Sequence, residues 1–150
     1  EIEDMMVFKS DVGNRPVEYL KHKRLGNMPL STYGDGIKKV LVLSNAIAGA
    51  ANGILLIDEI ETAIHKKYYD DIFRFIVKAC NAFQVQVFIT THSIEAIDGL
   101  LGTQDYEIQT GDDAITVVTL KRESNKTYSR VLSGREVFEN REAFGFEVRL

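Results

Sequence analysis

The sequence predicts an α/β fold: a parallel-sheet core with flanking helices, closed by a C-terminal β-hairpin plus helix. Three observations carry that prediction. Residues 54–57, Ile-Leu-Leu-Ile, form an unbroken aliphatic run that ends on Asp58 and Glu59. A run without alternation reads as a strand buried on both faces of a parallel sheet. A second apolar run at 85–90 follows a long amphipathic pattern, and the order strand–helix–strand–helix suits a βαβ unit with parallel pairing. Beyond residue 105 the texture turns to short alternating runs, which read as a hairpin.

Composition sets the outer limits. At 150 residues the chain suits a single domain over 1–150 with a sizeable core. Hydrophobic content of 45% and charged content of 27% are ordinary for a globular protein. A net charge of −4 gives no global attraction to nucleic acid or to an acidic membrane. The lone Cys80 rules out an intrachain disulfide and fits a reducing, cytoplasmic setting. No apolar run approaches the roughly 20 residues that span a bilayer, so no membrane is expected among the partners. Because the chain opens on Glu1 rather than Met, a longer parent polypeptide is expected.

Along the chain, residues 5–8 and 17–20 read as two strands joined by a turn over 11–16. The basic run Lys21-His22-Lys23-Arg24 reads as a solvated loop or strand edge, in preference to a nucleic-acid patch. Leu30-Ser31-Thr32-Tyr33-Gly34-Asp35-Gly36 is a loop of small and turn-forming residues that opens a helix. That helix carries Ile37, Val40, Leu41, Ser44, Ile47, Ala48 and Ala51 on one face, and Asn52-Gly53 stops it. The free N–H groups at its start make a candidate anion site.

The strand at 54–57 comes next, then a short connection over 62–65 and a helix over about 67–83. Tyr69, Ile72, Phe73, Ile76, Ala79, Cys80 and Phe83 form its buried stripe, which makes Cys80 a small core residue rather than a nucleophile. The strand at 85–90 ends on Thr91-His92-Ser93, and Ser93 N-caps a helix over 94–101 with Glu95 in its first turn. Parallel pairing then puts the Asp58/Glu59 tip and the His92 tip on one sheet edge, where open α/β sheets bind ligands. Residues 106–109 and 114–120 read as a hairpin around Gly111-Asp112-Asp113. The capping box Ser133-Gly134-Arg135-Glu136 opens a last helix over 137–144 that ends at Gly145.

Adjacent carboxylates in a strand point to opposite faces, but at a strand end both can approach one site. One could hold Mg²⁺ through water, because Mg²⁺ prefers oxygen ligands and keeps much of its hydration shell. The other could orient or deprotonate a water attacking phosphorus. The bland alternative is two acids capping a strand and facing solvent.

The glycine-bearing loop before a helix, the strand ending in Asp-Glu and the strand ending in Thr-His-Ser occur in a set order. In this the sequence resembles the ATP-binding-cassette class of P-loop ATPases. More narrowly it is similar to the AAA-type, non-transporter branch of the overcoming-lysogenisation-defect (OLD) and RecF-like ATPases, over residues 28–102 and more loosely beyond. The resemblance implies part of a P-loop NTPase-like core. Residues 54–59 match the Walker B strand, which implies Asp58 as the Mg²⁺-associated carboxylate and Glu59 as the general base. The loop at 30–36 resembles a stretched signature loop, which implies that Ser31, Gly34 or Gly36 contacts the γ-phosphate of ATP held by an opposite subunit. Residues 61–65 sit where the D-loop lies. Residues 89–93 match the switch strand, which implies His92 as the γ-phosphate sensor. His65 matches nothing catalytic.

The phosphate-cradling loop Gly-x-x-x-x-Gly-Lys-Ser/Thr (Walker A) is nowhere in these residues. The expectation is therefore the C-terminal half of a larger ATPase, or a degenerate member, and weak or no ATP binding by residues 1–150 alone. For an intact protein the resemblance implies ATP and Mg²⁺ as cofactors and homodimerisation through nucleotide. It also implies a role in DNA maintenance or phage defence, with DNA reached through other domains. Two other readings stay open. Asp58, Glu59, Glu61, His65 and His92 could form a metal-dependent nuclease site. Alternatively, the hairpin and last helix could make the chain a non-catalytic dimerisation or binding module.

Overall fold

A computed structural model of the chain describes residues 2–9, 15–106 and 114–144. It divides into two compact units, Glu1–Asn45 and Ala46–Leu150, with the boundary inside a helix.

The first unit is an antiparallel sheet in the order β1 (Ile2–Lys9), β2 (Pro16–His22), β3 (Gly26–Pro29), followed by a helical start. The two expected N-terminal strands are present and pair as Met6↔Tyr19 and Phe8↔Val17, while residues 10–14 of their turn lie outside the described residues. β3 is an addition to the sequence reading. Its turn is closed by His22 Nδ1, which accepts the N–H groups of Arg24 at 3.1 Å and Leu25 at 3.2 Å, and by Gly26 at a φ of +72°. The basic run thus lies at the end of β2 and in the turn after it, in keeping with a solvated loop or strand edge.

Leu30–Thr32 form a 3-10 turn, and α1 spans Asp35–Gly49. The helix was expected to bury Leu41 and Ala48. Of that expected face Ile47 is buried, Leu41 is half-buried and Ala48 is exposed, while Leu43, one turn before Ile47 and not on the expected face, is buried as well. The small side chains at 46, 48, 50 and 51 blur the stripe, so spacing alone misplaces the centre of the buried face. The helix ends at Gly49, three residues before Asn52, whose φ of 59° makes the reversal into the next strand.

The second unit carries β4 (Ile54–Ile57), α2 (Tyr69–Phe83), β5 (Gln86–Ile89) and α3 (Ile94–Leu101). β4 and β5 are parallel and pair from Ile54↔Gln86 to Ile57↔Ile89, as predicted. α2 buries Tyr69, Phe73, Ile76 and Cys80, the predicted stripe, although Phe83 is 45% exposed. It ends with Gln84 in the left-handed region, where the Gln84 and Val85 amides reach back to Asn81 and Cys80 carbonyls. α3 packs on α2 so closely that Gly99 lies over the Phe73 ring.

One expectation is corrected. Ile54 and Leu56 are 62% and 75% exposed, so β4 is not buried on both faces. Among the described residues the parallel sheet has two strands, and only the face bearing Leu55, Ile57, Val87 and Ile89 is covered. An aliphatic run records a preference for burial and does not say that this chain supplies the cover.

The last part is a hairpin, β6 (Thr116–Glu123) and β7 (Lys126–Ser133), then α4 (Gly134–Phe144). A hairpin plus helix was expected, but its turn is at Ser124-Asn125, with β6 pairing forward to residues 126–133. Of the expected turn and first strand, residues 107–113 lie outside the described residues, as does Gly145. The capping box forms as read: Glu136 N–H donates to Ser133 Oγ at 3.2 Å and Ser133 N–H to Glu136 Oε2 at 2.8 Å. Leu101, Tyr106 and Val137 make the buried centre that joins α3, the hairpin and α4, and Arg141 on α4 pairs with Asp98 on α3. Among the described residues no helix is long and apolar enough to cross a membrane.

Candidate functional site

The register of β4 and β5 decides what meets at their carboxyl ends. Ile57 pairs with Ile89, so position 58 falls opposite position 90. Thr90 N–H donates to Ile57 O at 2.9 Å and Ile60 N–H donates to Thr90 O at 3.2 Å, which extends the ladder past the last strand residue. The Thr90 hydroxyl donates to Asp58 Oδ1 and accepts from the Glu59 N–H at 2.9 Å.

Glu59 sits at a φ of 45°, in the left-handed region that glutamate rarely occupies. Such a residue costs on the order of 1 kcal/mol and persists only where its surroundings enforce it. This turn breaks the strand alternation that would have sent Asp58 and Glu59 to opposite faces. It leaves Glu59 Oε1 3.7 Å from His92 Nε2, and Glu59 Oε2 accepts from the Thr62 hydroxyl at 3.3 Å. His92 is 87% exposed and Glu59 53% exposed, so their attraction is screened by water.

A second layer holds the His92 tip. Glu61 Oε1 accepts the His92 N–H at 2.8 Å, across 31 residues of sequence. Burial alone pushes the Glu61 carboxyl upward. Hydrogen bonds from Thr91, its own backbone and His92, with attraction to the His92 ring, outweigh it and leave the group below the usual value. Ser93 caps α3 as read: its hydroxyl accepts the Ala96 N–H at 3.1 Å and donates to Glu95 Oε2 at 2.8 Å. Glu95 also pairs with Lys66, and the Lys66 hydrogen bond leads the effects that bring its carboxyl down to about 2.

Three of the sequence-derived site residues, Asp58, Glu59 and His92, are thus brought together. The other three, Ser31, Gly34 and Gly36, belong to the first unit. Ser31 lies in the 3-10 turn, Gly34 precedes α1 and its carbonyl accepts the Ile37 N–H at 3.1 Å, and Gly36 is already inside the helix. Asp35 brings a carboxylate to that helix start, where it pairs with Lys38 at 2.9 Å. His65 caps the 3-10 turn Lys66–Tyr68 through Nδ1, which accepts the Lys67 N–H at 3.3 Å. It has a local structural task.

The donor set fits a weakly held Mg²⁺. Among the described residues no three acids, histidines or cysteines converge as a metal-holding group, so the five-residue nuclease set does not assemble as one. Mg²⁺ is commonly held by one or two carboxylates together with waters and phosphate oxygens, and an exposed Asp58 with one oxygen held by Thr90 suits that use. Thr90 and Glu61 had no assigned role in the ATPase reading of the sequence. Counting the parallel register from 54↔86 places Thr90 opposite Asp58 and supplies the missing signal.

Comparison with known proteins gives four results. Residues 1–98 match the model of a family described as "AAA domain, putative AbiEii toxin, Type IV TA system". That match takes in the N-terminal sheet, which the sequence-derived resemblance did not cover. The chain is 32% identical over 116 residues to an uncharacterized protein of Methanocaldococcus jannaschii, covering 77% of this chain and 98% of that protein. It is 30% identical over 124 residues to an ATP/GTP phosphatase of Helicobacter pylori, covering 77% of this chain but 32% of that longer protein. In fold it is similar, with a TM-score of 0.61 and 12% identity, to a chain solved in a study of ATP-driven dimerization and DNA-stimulated activation of SMC ATPases. That likeness covers 95% of this chain and 81% of the other.

Proposed function

The chain belongs to this AAA-domain family, of the AAA/ABC type of P-loop ATPases, and on that premise we propose that its second unit carries the hydrolytic edge of an ATPase site. In this reading β4 is the Walker B strand. Asp58 is the Mg²⁺-associated carboxylate, Glu59 the general base toward the attacking water, and His92 the group that senses the γ-phosphate. Ser31, Gly34 and Gly36 form the loop that touches the phosphate of a nucleotide bound to a second copy. Mg²⁺, when bound, neutralises charge on the phosphate oxygens. The protein's own residues supply the rest. Asp58 would hold the metal when it is bound, Glu59 accepts the water's proton, and His92 donates toward the phosphate.

The observation that carries the reading is the convergence of Asp58, Glu59 and His92 at the ends of two paired parallel strands, with Glu59 held in a left-handed turn. The Helicobacter pylori relative's name, ATP/GTP phosphatase, supports the same chemistry. A homodimer closed by nucleotide, contact with DNA, a role in DNA maintenance or phage defence and a cytoplasmic location are parts of the same proposal. The structural neighbour's ATP-driven dimerization and DNA stimulation support the first two.

The test is ATP turnover by the protein as the cell makes it. Glu59→Gln should lower kcat by at least about 100-fold, the lower end of what a general base contributes, with ATP binding retained. Unchanged turnover removes Glu59 from that role. A second reading, a non-catalytic dimerisation or binding module, is favoured by the open apolar face of β4 and β5, where Ile54, Leu56 and Phe88 are 62%, 75% and 54% exposed. Nucleotide-independent dimers on size exclusion, with no turnover, would select it.

A further inference from the structure

Asp58, Glu59 and His92 have roles in the proposed site, while the side chain that touches both acids has none. We propose that Thr90 is a positioning residue that sets Asp58 and Glu59 together. Its hydroxyl has a single proton, and a backbone N–H can only donate. Oγ1 must therefore accept from Glu59 N–H, at 2.9 Å, and its own proton is left for Asp58 Oδ1. The direction of both bonds is fixed by chemistry.

The main chain of Thr90 adds two bonds, from its N–H to Ile57 O at 2.9 Å and to its carbonyl from Ile60 N–H at 3.2 Å. One residue on β5's tip thereby holds four consecutive residues of β4's tip. For Asp58 the result is one engaged oxygen and one left for solvent or a cation. For Glu59 it is a reason for the φ of 45°: the left-handed turn aims its N–H at Thr90 and its carboxylate toward His92.

A threonine at the end of an element commonly satisfies its hydroxyl on its own neighbouring backbone, as Thr103 just past α3 does on Leu100 O. Thr90 instead makes both hydroxyl bonds to residues 31 and 32 positions away, and both partners are the acids themselves.

The catalytic part of this inference rests on the ATPase reading, whereas the positioning can be read without nucleotide. The experiment compares wild type, Thr90→Val and Thr90→Ser by amide hydrogen exchange in NMR. In wild type the Glu59 amide, bonded to Thr90, should be protected. Thr90→Val should speed its exchange by about tenfold or more, and Thr90→Ser should keep it near wild type. Leu55 and Phe88 amides report whether the parallel ladder is intact. Should valine disturb them, Thr90→Ala gives the same comparison without an added methyl. In the protein as the cell makes it, Thr90→Val should lower kcat with little change in KM for ATP, and Thr90→Ser should restore it.

Equal Glu59 exchange in wild type and Thr90→Val overturns the proposal. So does failure of serine to restore protection, because the methyl would then be what matters. Absence of turnover in wild type overturns the ATPase reading instead, and the exchange comparison still decides the role of Thr90.

Discussion

The backbone N–H of His92 donates to Glu61 Oε1 at 2.8 Å, tying the tip of one parallel strand to the loop that follows its neighbour. The bond spans 31 residues and fixes main chain, so the His92 ring stays 87% exposed beside Glu59 while its base is held. Glu61→Ala removes the acceptor and should cost about 1 kcal/mol in denaturant unfolding, the usual worth of such a bond. Glu61→Gln keeps an acceptor oxygen and should cost less than half of that. Equal losses for both would point to the carboxylate charge rather than the hydrogen bond.

Acid should loosen the start of α3. The Lys66 hydrogen bond, with Glu95's own amide and Ser93, holds the Glu95 carboxyl at about 2, against an ordinary 4.5. A carboxyl depressed on folding stabilises the native state above its unfolded pKa, and that contribution disappears as pH falls through the folded value. The contribution is whole above pH 4.5 and is lost between there and about pH 2. Glu61 is depressed as well and acts in the same direction below its ordinary value. Thermal melts across this window should show a flatter pH dependence in Glu95→Gln than in wild type. Parallel curves would remove Glu95 from the acid response.

Local chemistry is what the sequence made legible. Ser93 and the Ser133/Glu136 pair announce their helices because a cap is a bond between near neighbours. The strands at 54–57 and 86–89 announce themselves as short aliphatic runs, and the tips that meet follow from parallel pairing. β3 was hidden because Gly26, Asn27 and Pro29 disfavour a strand, and only the ladder with β2 imposes one. The turn at Ser124-Asn125 was hidden because it lacks glycine and sits in a polar run that looks like a loop. The left-handed Glu59 has no sequence signal at all, since the cause lies 31 residues away in Thr90.

Gly99 should tolerate no side chain. A Cβ there would lie 3.0 Å from Phe73 Cδ2 and 3.4 Å from Tyr69 Cβ, and Phe73 is fully buried and stacked on Tyr69. Alanine is a better helix former than glycine by about 1 kcal/mol, so propensity alone predicts a gain. Overpacking a tight helix contact costs about 1–3 kcal/mol, and here the neighbour is a ring with nowhere to move. Gly99→Ala should therefore be net destabilising in denaturant melts, and Gly99→Ala combined with Phe73→Leu should recover part of the loss. A stabilised Gly99→Ala would mean that α3 slides on α2 without cost.

Glu59 offers the sharpest separation of stability from activity. Its left-handed backbone costs on the order of 1–2 kcal/mol for a residue with a Cβ. Glycine removes that cost but adds roughly 0.5–1 kcal/mol of chain entropy on unfolding. The Thr62 hydroxyl loses only an exposed contact at 3.3 Å, and the His92 attraction at 3.7 Å is solvent-screened. The difference leaves Glu59→Gly neutral to more stable by up to about 1 kcal/mol, where most substitutions destabilise. The same variant deletes the proposed general base, so ATP turnover should fall as far as in Glu59→Gln. A chain that gains stability while losing turnover marks strain kept for chemistry. A clear loss of stability would mean instead that the carboxylate's contacts, and not its reactivity, hold residue 59 in place.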